Sequence, residues 1–323
     1  MLGSHQETLM SSTNDLKIHI VTPVYWDTKN FLRLRERILP TLAGAGIHAD
    51  IQFYLIDDAA GLDSSVEFAR PLENVHIVSV PFNLGHQRAI VYGLRKLKGT
   101  LHDEDIIVTM DSDGEDKPED LPWLLKALLS PPEDQKKLVL ALRTKRRESF
   151  SFKVLYFFFK IAFRWLTGQL IRSGNYAVYR GWIANRFLLD PRFDLCYSST
   201  LVALGLRLDF VPCERGSRYE GESHMGTLKL VTHGLRMLMP FLDRITIRCL
   251  VFFFVTFIAG TVLGLTVLGI RIFTGLAIPG WATNTLLALF IVTLMALSNS
   301  VLLFMIFSQS KFLSLSDLES WKT

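Results

Sequence analysis

The chain of 323 residues predicts an open α/β domain with a mainly parallel sheet, followed by amphipathic interface helices and two transmembrane helices. Three observations carry this prediction. Short apolar runs alternate with helix-period segments through the first half, the pattern of βαβ units. Two of those runs end abruptly in carboxylates, at Asp57-Asp58 and at Asp111-Ser112-Asp113. The last quarter is nearly free of charge, with none from Cys249 to Ile270 and none between Arg271 and Lys311.

Taken in order, Met1–Asp15 is polar, has no apolar core of the kind a signal peptide needs, and reads as a disordered tail. Lys17-Ile18-His19-Ile20-Val21 is a first strand, stopped by Thr22-Pro23. Helix-period residues follow from about Asn30 to Leu42 and end near Gly44 and Gly46. Ile51–Ile56 and Val75–Val80 are the second and third strands, and Gly85–Lys98 is a helix. Ile106–Met110 is a fourth strand, apolar enough to be buried on both faces. Leu121–Leu129 is helical and Leu138–Leu142 is a fifth strand.

Phe152–Leu166 carries Phe157, Phe158, Phe159, Phe163 and Trp165 among lysines and arginines. It is too charged to span a bilayer and suits a helix lying in the headgroup region, with a core helix of the soluble domain as the alternative. Thr227–Leu242 leads toward the first uncharged stretch and reads as a second helix on the membrane. Cys249–Ile270 and a core near Leu286–Phe307 are each long enough for the about 20 apolar residues a crossing needs. A break at Ile278-Pro279-Gly280 separates them. The organisation expected is an α/β domain over residues 16–225 with an interfacial helix near 152–166. A juxtamembrane helix (226–247), a two-helix hairpin (248–308) and a tail (309–323) follow.

A net charge of +4 does not point to nucleic acid. Its distribution is more informative, with Lys145-Arg146-Arg147, Lys153, Lys160 and Arg164 beside aromatic residues and Arg236, Arg244 and Arg248 ahead of the first span. The positive-inside tendency puts the large N-terminal part and both termini in the cytoplasm, and Arg271 argues weakly the other way. Cys196, Cys213 and Cys249 form no ligand-spaced pair, which excludes a disulfide framework or a zinc site of the usual spacing.

The stretch Val108-Thr109-Met110-Asp111-Ser112-Asp113-Gly114-Glu115-Asp116 concentrates the chemistry. Alternate side chains of an extended segment point the same way, so Asp111 and Asp113 share a face. Two such carboxylates repel unless a cation sits between them, and hard oxygen ligands suit Mg²⁺ or Mn²⁺. The carboxyl end of a strand in an open α/β sheet is where a ligand such as a diphosphate binds. The plain alternative is a solvated acidic turn ahead of the helix after Pro118.

Four motifs in order resemble a known family. They are Val21-Thr22-Pro23-Val24-Tyr25-Trp26-Asp27, Ile56-Asp57-Asp58-Ala59-Ala60, Asn83-Leu84-Gly85-His86-Gln87-Arg88-Ala89, and Asp111-Ser112-Asp113-Gly114-Glu115-Asp116-Lys117-Pro118-Glu119. From about Lys17 to Leu230 the chain resembles the inverting nucleotide-sugar glycosyltransferases of family 2, with a GT-A fold. Within that family it looks most like the membrane enzymes that glycosylate a polyprenyl phosphate, such as dolichol-phosphate mannosyltransferases and bacterial undecaprenyl-phosphate glucosyltransferases. Trp26 stands where the family has Asn, Ala59-Ala60 where it has Gly-Ser, Glu115 where it has Gln, and Asn175-Tyr176 where it has Phe-Arg.

The resemblance implies a donor site at Pro23, Tyr25, Asp27, Asp57, Asp58, Asn83, Gln87 and Ser112, holding a UDP- or GDP-hexose. It implies a metal at Asp111 and Asp113, with Glu115 as an added acid there. It implies Arg143, Arg172, Ser173, Arg218 and Lys229 for the phosphate of a polyprenyl phosphate acceptor, with Arg218 ranked with Asp111 and Asp113 as catalytic. A lipid phosphate is already ionised and needs positive charge, not a base. Transfer to a lipid hydroxyl such as diacylglycerol is the runner-up and would need a base, for which Asp116 or Glu222 stand as candidates. An inactive membrane scaffold is the alternative of another class, against which the intact Asp111/Asp113 pair argues. A nucleotidyltransferase would need a Gly-rich, Arg-containing first loop, which is absent after Val21. The setting implied is the bacterial inner membrane with the catalytic domain in the cytoplasm, and a homo-oligomer is left open.

Overall fold

The computed structural model describes residues 16–131, 137–143, 150–170, 173–219, 227–275, 278 and 280–309. The tails and Glu222 therefore lie outside the described residues. The order of elements is β1 (Lys17–Val24), α1 (Thr28–Gly44), β2 (Asp50–Asp57), β3 (Val75–Ser79), α2 (His86–Lys96), β4 (Ile106–Thr109), α3 (Leu121–Leu129), β5 (Lys137–Arg143) and α4 (Phe150–Thr167). Then come β6 (Ser173–Arg180), α5 (Gly181–Phe187), α6 (Tyr197–Ala203), β7 (Arg207–Cys213), α7 (Thr227–Leu238), α8 (Leu242–Phe273) and α9 (Trp281–Gln309). These residues fall into two compact units: 161–169 with the helices from residue 241 onward, and the rest.

In the first unit the strands form one seven-stranded sheet in the order β3-β2-β1-β4-β6-β5-β7. β1, β2, β3 and β4 run parallel, while β6 is antiparallel to both β4 and β5. β4 lies mid-sheet and all four of its residues are buried, which is why its sequence is apolar without alternation. Alternate strand residues point to opposite faces. Ile18, Ile20 and Val108 pack with Phe31, Leu34 and Leu124 under α1 and α3. Val21, Ile56 and Ile107 pack with Ile90, Leu94 and Leu201 under α2 and α6. Packing on both faces fixes where β4 ends and so where Asp111 emerges.

The expected first five strands and their helices are present with ends shifted by a few residues. β6 and β7 were not foreseen. β6 opens on Ser173-Gly174-Asn175, a small and polar stretch with no strand pattern of its own, and it is completed only by distant partners, Ile106–Thr109 and Leu138–Leu142. β7 contains Pro212, in register with Leu142, and sits at the sheet edge where a missing amide is tolerated.

α4 covers the segment expected to lie at the interface. Phe157, Phe158, Ile161 and Trp165 are exposed while Phe163 is buried, the opposite of a core helix. In the second unit α8 and α9 are long and apolar enough to cross a membrane. The 32-residue α8 is about 48 Å long, more than the about 30 Å hydrocarbon core requires. The juxtamembrane helix expected over 226–247 is instead two pieces. α7 stops at Leu238, a 3-10 turn covers Met239–Phe241, and α8 starts at Leu242, ahead of the uncharged stretch. The hydroxyl of buried Ser300 donates to the Cys249 carbonyl at 3.2 Å, tying the end of α9 to the start of α8.

Candidate active site

The site forms where β4 runs out. Thr109 is its last residue, Met110 stays buried with its amide on the Val21 carbonyl, and the chain then turns through Asp111–Asp116. The Asp111 amide donates to Asp116 Oδ2 at 3.0 Å and the Glu115 amide to Asp113 Oδ1 at 3.0 Å, so the loop's own carboxylates shape it. Gly114 has φ +87°, and a Cβ there would stand 2.7 Å from the Tyr219 ring. Both the left-handed backbone and the space exclude any larger residue.

Asp111 is surrounded. Its Oδ1 accepts from His86 Nε2 at 2.9 Å and Asn175 Nδ2 at 3.3 Å, and Arg143 lies 3.8 Å from Oδ2. Despite burial, the charges of His86 and Arg143 and these hydrogen bonds hold its carboxyl below the usual range. The same carboxylate pushes the His86 imidazole up against the opposing effect of burial. Asp113 pairs with Arg218 at 2.9 Å, yet burial and the Asp111 charge push it up to about 6. Asp116, buried and 3.0 Å from Arg143, is pushed up to about 7 by burial and then by Asp111. Three carboxylates crowd one turn.

The loop after β7 closes against this turn. The Gly216 amide donates to the Glu115 carbonyl at 2.9 Å and the Tyr219 amide to the Asp113 carbonyl at 2.9 Å. Arg215 and Arg218 pair with the two oxygens of Glu115, Arg218 at 3.1 Å. Arg37 donates to the Tyr219 hydroxyl at 2.8 Å, and Arg33 lies 4.6 Å over its ring.

The expected residues fare differently. Asp111, Asp113, Arg143 and Arg218 come together. Glu115, expected as an added acid at the metal, has both of its oxygens paired with arginines in this structure. Arg143 and Arg218 meet carboxylates of the acidic turn in this structure, where an acceptor phosphate was expected. Asp57, expected at the donor, accepts from the Ala59 amide, the Gly61 amide and the Ser79 hydroxyl, and so builds the turn after β2. Asp58 is buried, accepts from the Leu84 amide at 2.8 Å, and is pushed up by burial. Asn83 donates to the Asp58 carbonyl at 3.2 Å. Gln87 bridges Asn175 and the Ser198 amide, so it holds α2, β6 and α6 together. Asp27 caps the start of α1, its carbonyl accepting from Asn30 and Phe31. Pro23 lies within β1 in register with Ile56, Ser112 is buried, and Tyr25 and Trp26 are exposed, Trp26 at φ +54°. Arg172 and the side chains of Ser173 and Lys229 lie outside the described residues.

Sequence reasoning missed His86, Asn175, Arg215 and Tyr219. His86 and Asn175 sat inside quoted motifs, His86 as an unassigned motif position and Asn175 as a departure from the family. Nothing local marked Arg215 or Tyr219, whose roles depend on β7 pairing with β5.

The model of the family described as glycosyl transferase family 2 matches residues 19–184, more than half of the chain. The chain belongs to glycosyl transferase family 2. Among solved structures, a mycobacterial protein is similar to this glycosyltransferase with a TM-score of 0.51 at 18% identity, over 73% of this chain and 77% of that one. Glucosyl-3-phosphoglycerate synthase from Mycobacterium tuberculosis, in complex with Mn²⁺, UDP and phosphoglyceric acid, gives 0.48 at 16% over 74% and 82%. Mannosyl-3-phosphoglycerate synthase from Rubrobacter xylanophilus gives 0.48 at 14% over 75% and 76%. At 18% identity the first likeness is one of fold alone, and the fold is GT-A.

The residues of this family 2 glycosyltransferase fit a hard divalent cation. Asp111 and Asp113 offer carboxylate oxygens on one turn, and burial together with the Asp111 charge pushes Asp113 up even beside Arg218. Among the described residues no three His, Cys, Asp or Glu side chains converge to hold a metal by themselves.

Proposed function

We propose that this glycosyltransferase moves a hexose from a UDP- or GDP-linked donor onto a polyprenyl phosphate at the cytoplasmic face of a bacterial inner membrane, as a metal-dependent, inverting transfer. One observation carries the reading: Arg143, Arg215 and Arg218 all converge on the acidic turn, in a chain that also holds two helices of membrane-span length. A phosphate acceptor arrives ionised, so its nucleophilic oxygen needs no base. It needs positive charge to approach a diphosphate, and guanidiniums supply that charge in a geometry matched to phosphate. Arg218 is the residue that orients the acceptor phosphate, since it is partly exposed and reaches Asp113 and Glu115 from the loop after β7. Arg143 is held deeper, on Asp116 and Asp111, and keeps the turn from flying apart by charge repulsion. His86 and Asn175 fix the direction of the Asp111 carboxylate. Mg²⁺ or Mn²⁺ at Asp111 and Asp113 would neutralise the charge that grows on the departing diphosphate. The exposed Tyr25 and Trp26 at the end of β1 offer apolar surface to the donor's base.

Transfer to a lipid hydroxyl fits less well. Of its two candidate bases, Glu222 lies outside the described residues, and Asp116 is buried with its oxygens on Arg143 and the Asp111 amide. The test incubates membranes with a panel of labelled UDP- and GDP-sugars and either polyprenyl phosphate or diacylglycerol. The expected product forms from polyprenyl phosphate and loses its sugar in mild acid, as a glycosyl phosphodiester does. An acid-stable product made from diacylglycerol would overturn the proposal.

A further inference from the structure

Away from the acidic turn, the second unit holds an open groove of about 790 Å³ with one wall from each of two helices. Ile161, Arg164 and Trp165 of α4 form one wall, and Arg248, Val251, Phe252 and Val255 of α8 form the other. Each set follows helical spacing, i, i+3, i+4 and, on α8, i+7, so each is a single stripe on its helix. All of these apolar side chains are exposed. No carboxylate is among the lining residues.

The polar end of the groove is built. Arg248 donates to the carbonyls of Arg164 and Trp165 in the last turn of α4, where the Arg164 carbonyl also accepts from the Gly168 amide at 2.8 Å. Gly168, at φ +75°, makes room for it, since a Cβ there would lie 2.7 Å from the Arg248 guanidinium. Phe163 packs edge-on against Phe241 at 5.5 Å and fixes the end of α4 beside the start of α8. Arg164 is exposed and has no side-chain partner among the described residues. Arg248 is also the last charge before the uncharged run from Cys249 to Ile270, so it marks the depth at which α8 leaves the headgroups. Below it Val251, Phe252 and Val255 descend along one face, each turn about 5.4 Å deeper.

We propose that this groove binds an anionic phospholipid of the surrounding leaflet, its phosphate between Arg164 and Arg248 and one acyl chain along Val251, Phe252 and Val255. Two guanidiniums at headgroup depth above an apolar stripe match the polarity profile of such a lipid from head to tail. A zwitterionic lipid carries a cationic group that the paired arginines repel. Trp165, an amphipathic ring at the same level, suits the interface. The inference rests on reading α8 and α9 as membrane spans and is independent of which acceptor receives the sugar.

The experiment is native mass spectrometry of the full-length protein released from detergent, offered phosphatidylglycerol, phosphatidylcholine or polyprenyl phosphate in turn. Wild type is expected to retain phosphatidylglycerol at least tenfold over phosphatidylcholine, and Arg164→Gln to bring that ratio below about threefold. Arg164 is the variant of choice because its side chain supports no neighbour among the described residues. Val255→Trp, which fills the apolar end and keeps both charges, is expected to weaken retention as well. Equal retention of both phospholipids, or unchanged selectivity in Arg164→Gln, would overturn the proposal. Polyprenyl phosphate retained in preference to phosphatidylglycerol, and lost in Arg164→Gln, would hand the groove to the acceptor and overturn it too. Retention of no lipid at all would sink the membrane reading with it. Selective phospholipid binding without transfer to polyprenyl phosphate would count against the proposed reaction alone.

Discussion

At the scale of single residues, the acidic turn sets a competition. Asp113 is held by Arg218 at 2.9 Å, and a cation needs the same carboxylate. Arg218→Ala is therefore expected to bind Mn²⁺ several-fold more tightly, as measured by the electron paramagnetic resonance of free Mn²⁺. The same change should lower kcat/KM for the acceptor roughly thirtyfold, about 2 kcal/mol for a lost charge-assisted contact, with donor binding nearly intact. Weaker Mn²⁺ binding in this variant would contradict the competition. Asp113→Asn keeps an acceptor for the Glu115 amide and so should stay folded, but lose turnover by orders of magnitude. Full activity in excess chelator would remove the metal from the scheme. The pH dependence has a definite sign. Asp113 and Asp116 sit near 6 and near 7 in the folded chain, above their unfolded value. Between roughly pH 4 and 7 the native state thus holds protons the unfolded chain has released, and stability without metal falls as pH rises. Asp111, shifted the other way, adds an opposing slope only at the acid end of this window, where the unfolded carboxyl still titrates. A bound cation needs the ionised forms, so the rise in Tm caused by Mn²⁺ should be larger at pH 7.5 than at 5.5. An equal or smaller rise would count against the assignment.

At the scale of elements, the turn after β4 and the loop after β7 stand or fall together. Gly114→Ala forces a side chain into the left-handed region and against the Tyr219 ring. It is expected to lower Tm by on the order of 5 °C, from about 1–3 kcal/mol of strain. Tyr219→Ala in the same chain should recover the part due to contact and leave the part due to φ, a split a double-mutant cycle reads directly. Full recovery would show that backbone strain plays no part. The four-residue β4 was legible because a buried parallel strand is apolar throughout and its end is marked by charge. α3, Leu121–Leu129, was legible to the residue because Pro118 and an apolar run bracket it. β6 was not, since Ser173-Gly174-Asn175 has loop composition and its pairing partners lie more than thirty residues away along the chain.

At the scale of the whole molecule, α8 and α9 should cross as a hairpin with both termini on one side. Reporter fusions at Thr323 and within Phe273–Trp281 are expected to report opposite faces, and the same face for both would end the hairpin model. Arg236, Arg244 and Arg248 before the first span bias the N-terminal side to the cytoplasm, against the single Arg271 in the connection.

The sequence by itself determined the alternation of strands and helices, the carboxylates at the end of β4, and the two uncharged stretches. Each is a local signal: period, an abrupt change from apolar to acidic, and length without charge. Only the tertiary structure decided what those carboxylates touch. Asp57, Asp58 and Gln87 carry the right chemistry for a ligand, and in the fold they also meet backbone amides and Asn175. Glu115 reads as a third acid for a metal, and nothing near it in sequence announces that Arg215 and Arg218, a hundred residues later, pair with it. A side chain's chemistry is written in its residue type, but its partner is set by which distant strand the sheet places beside it.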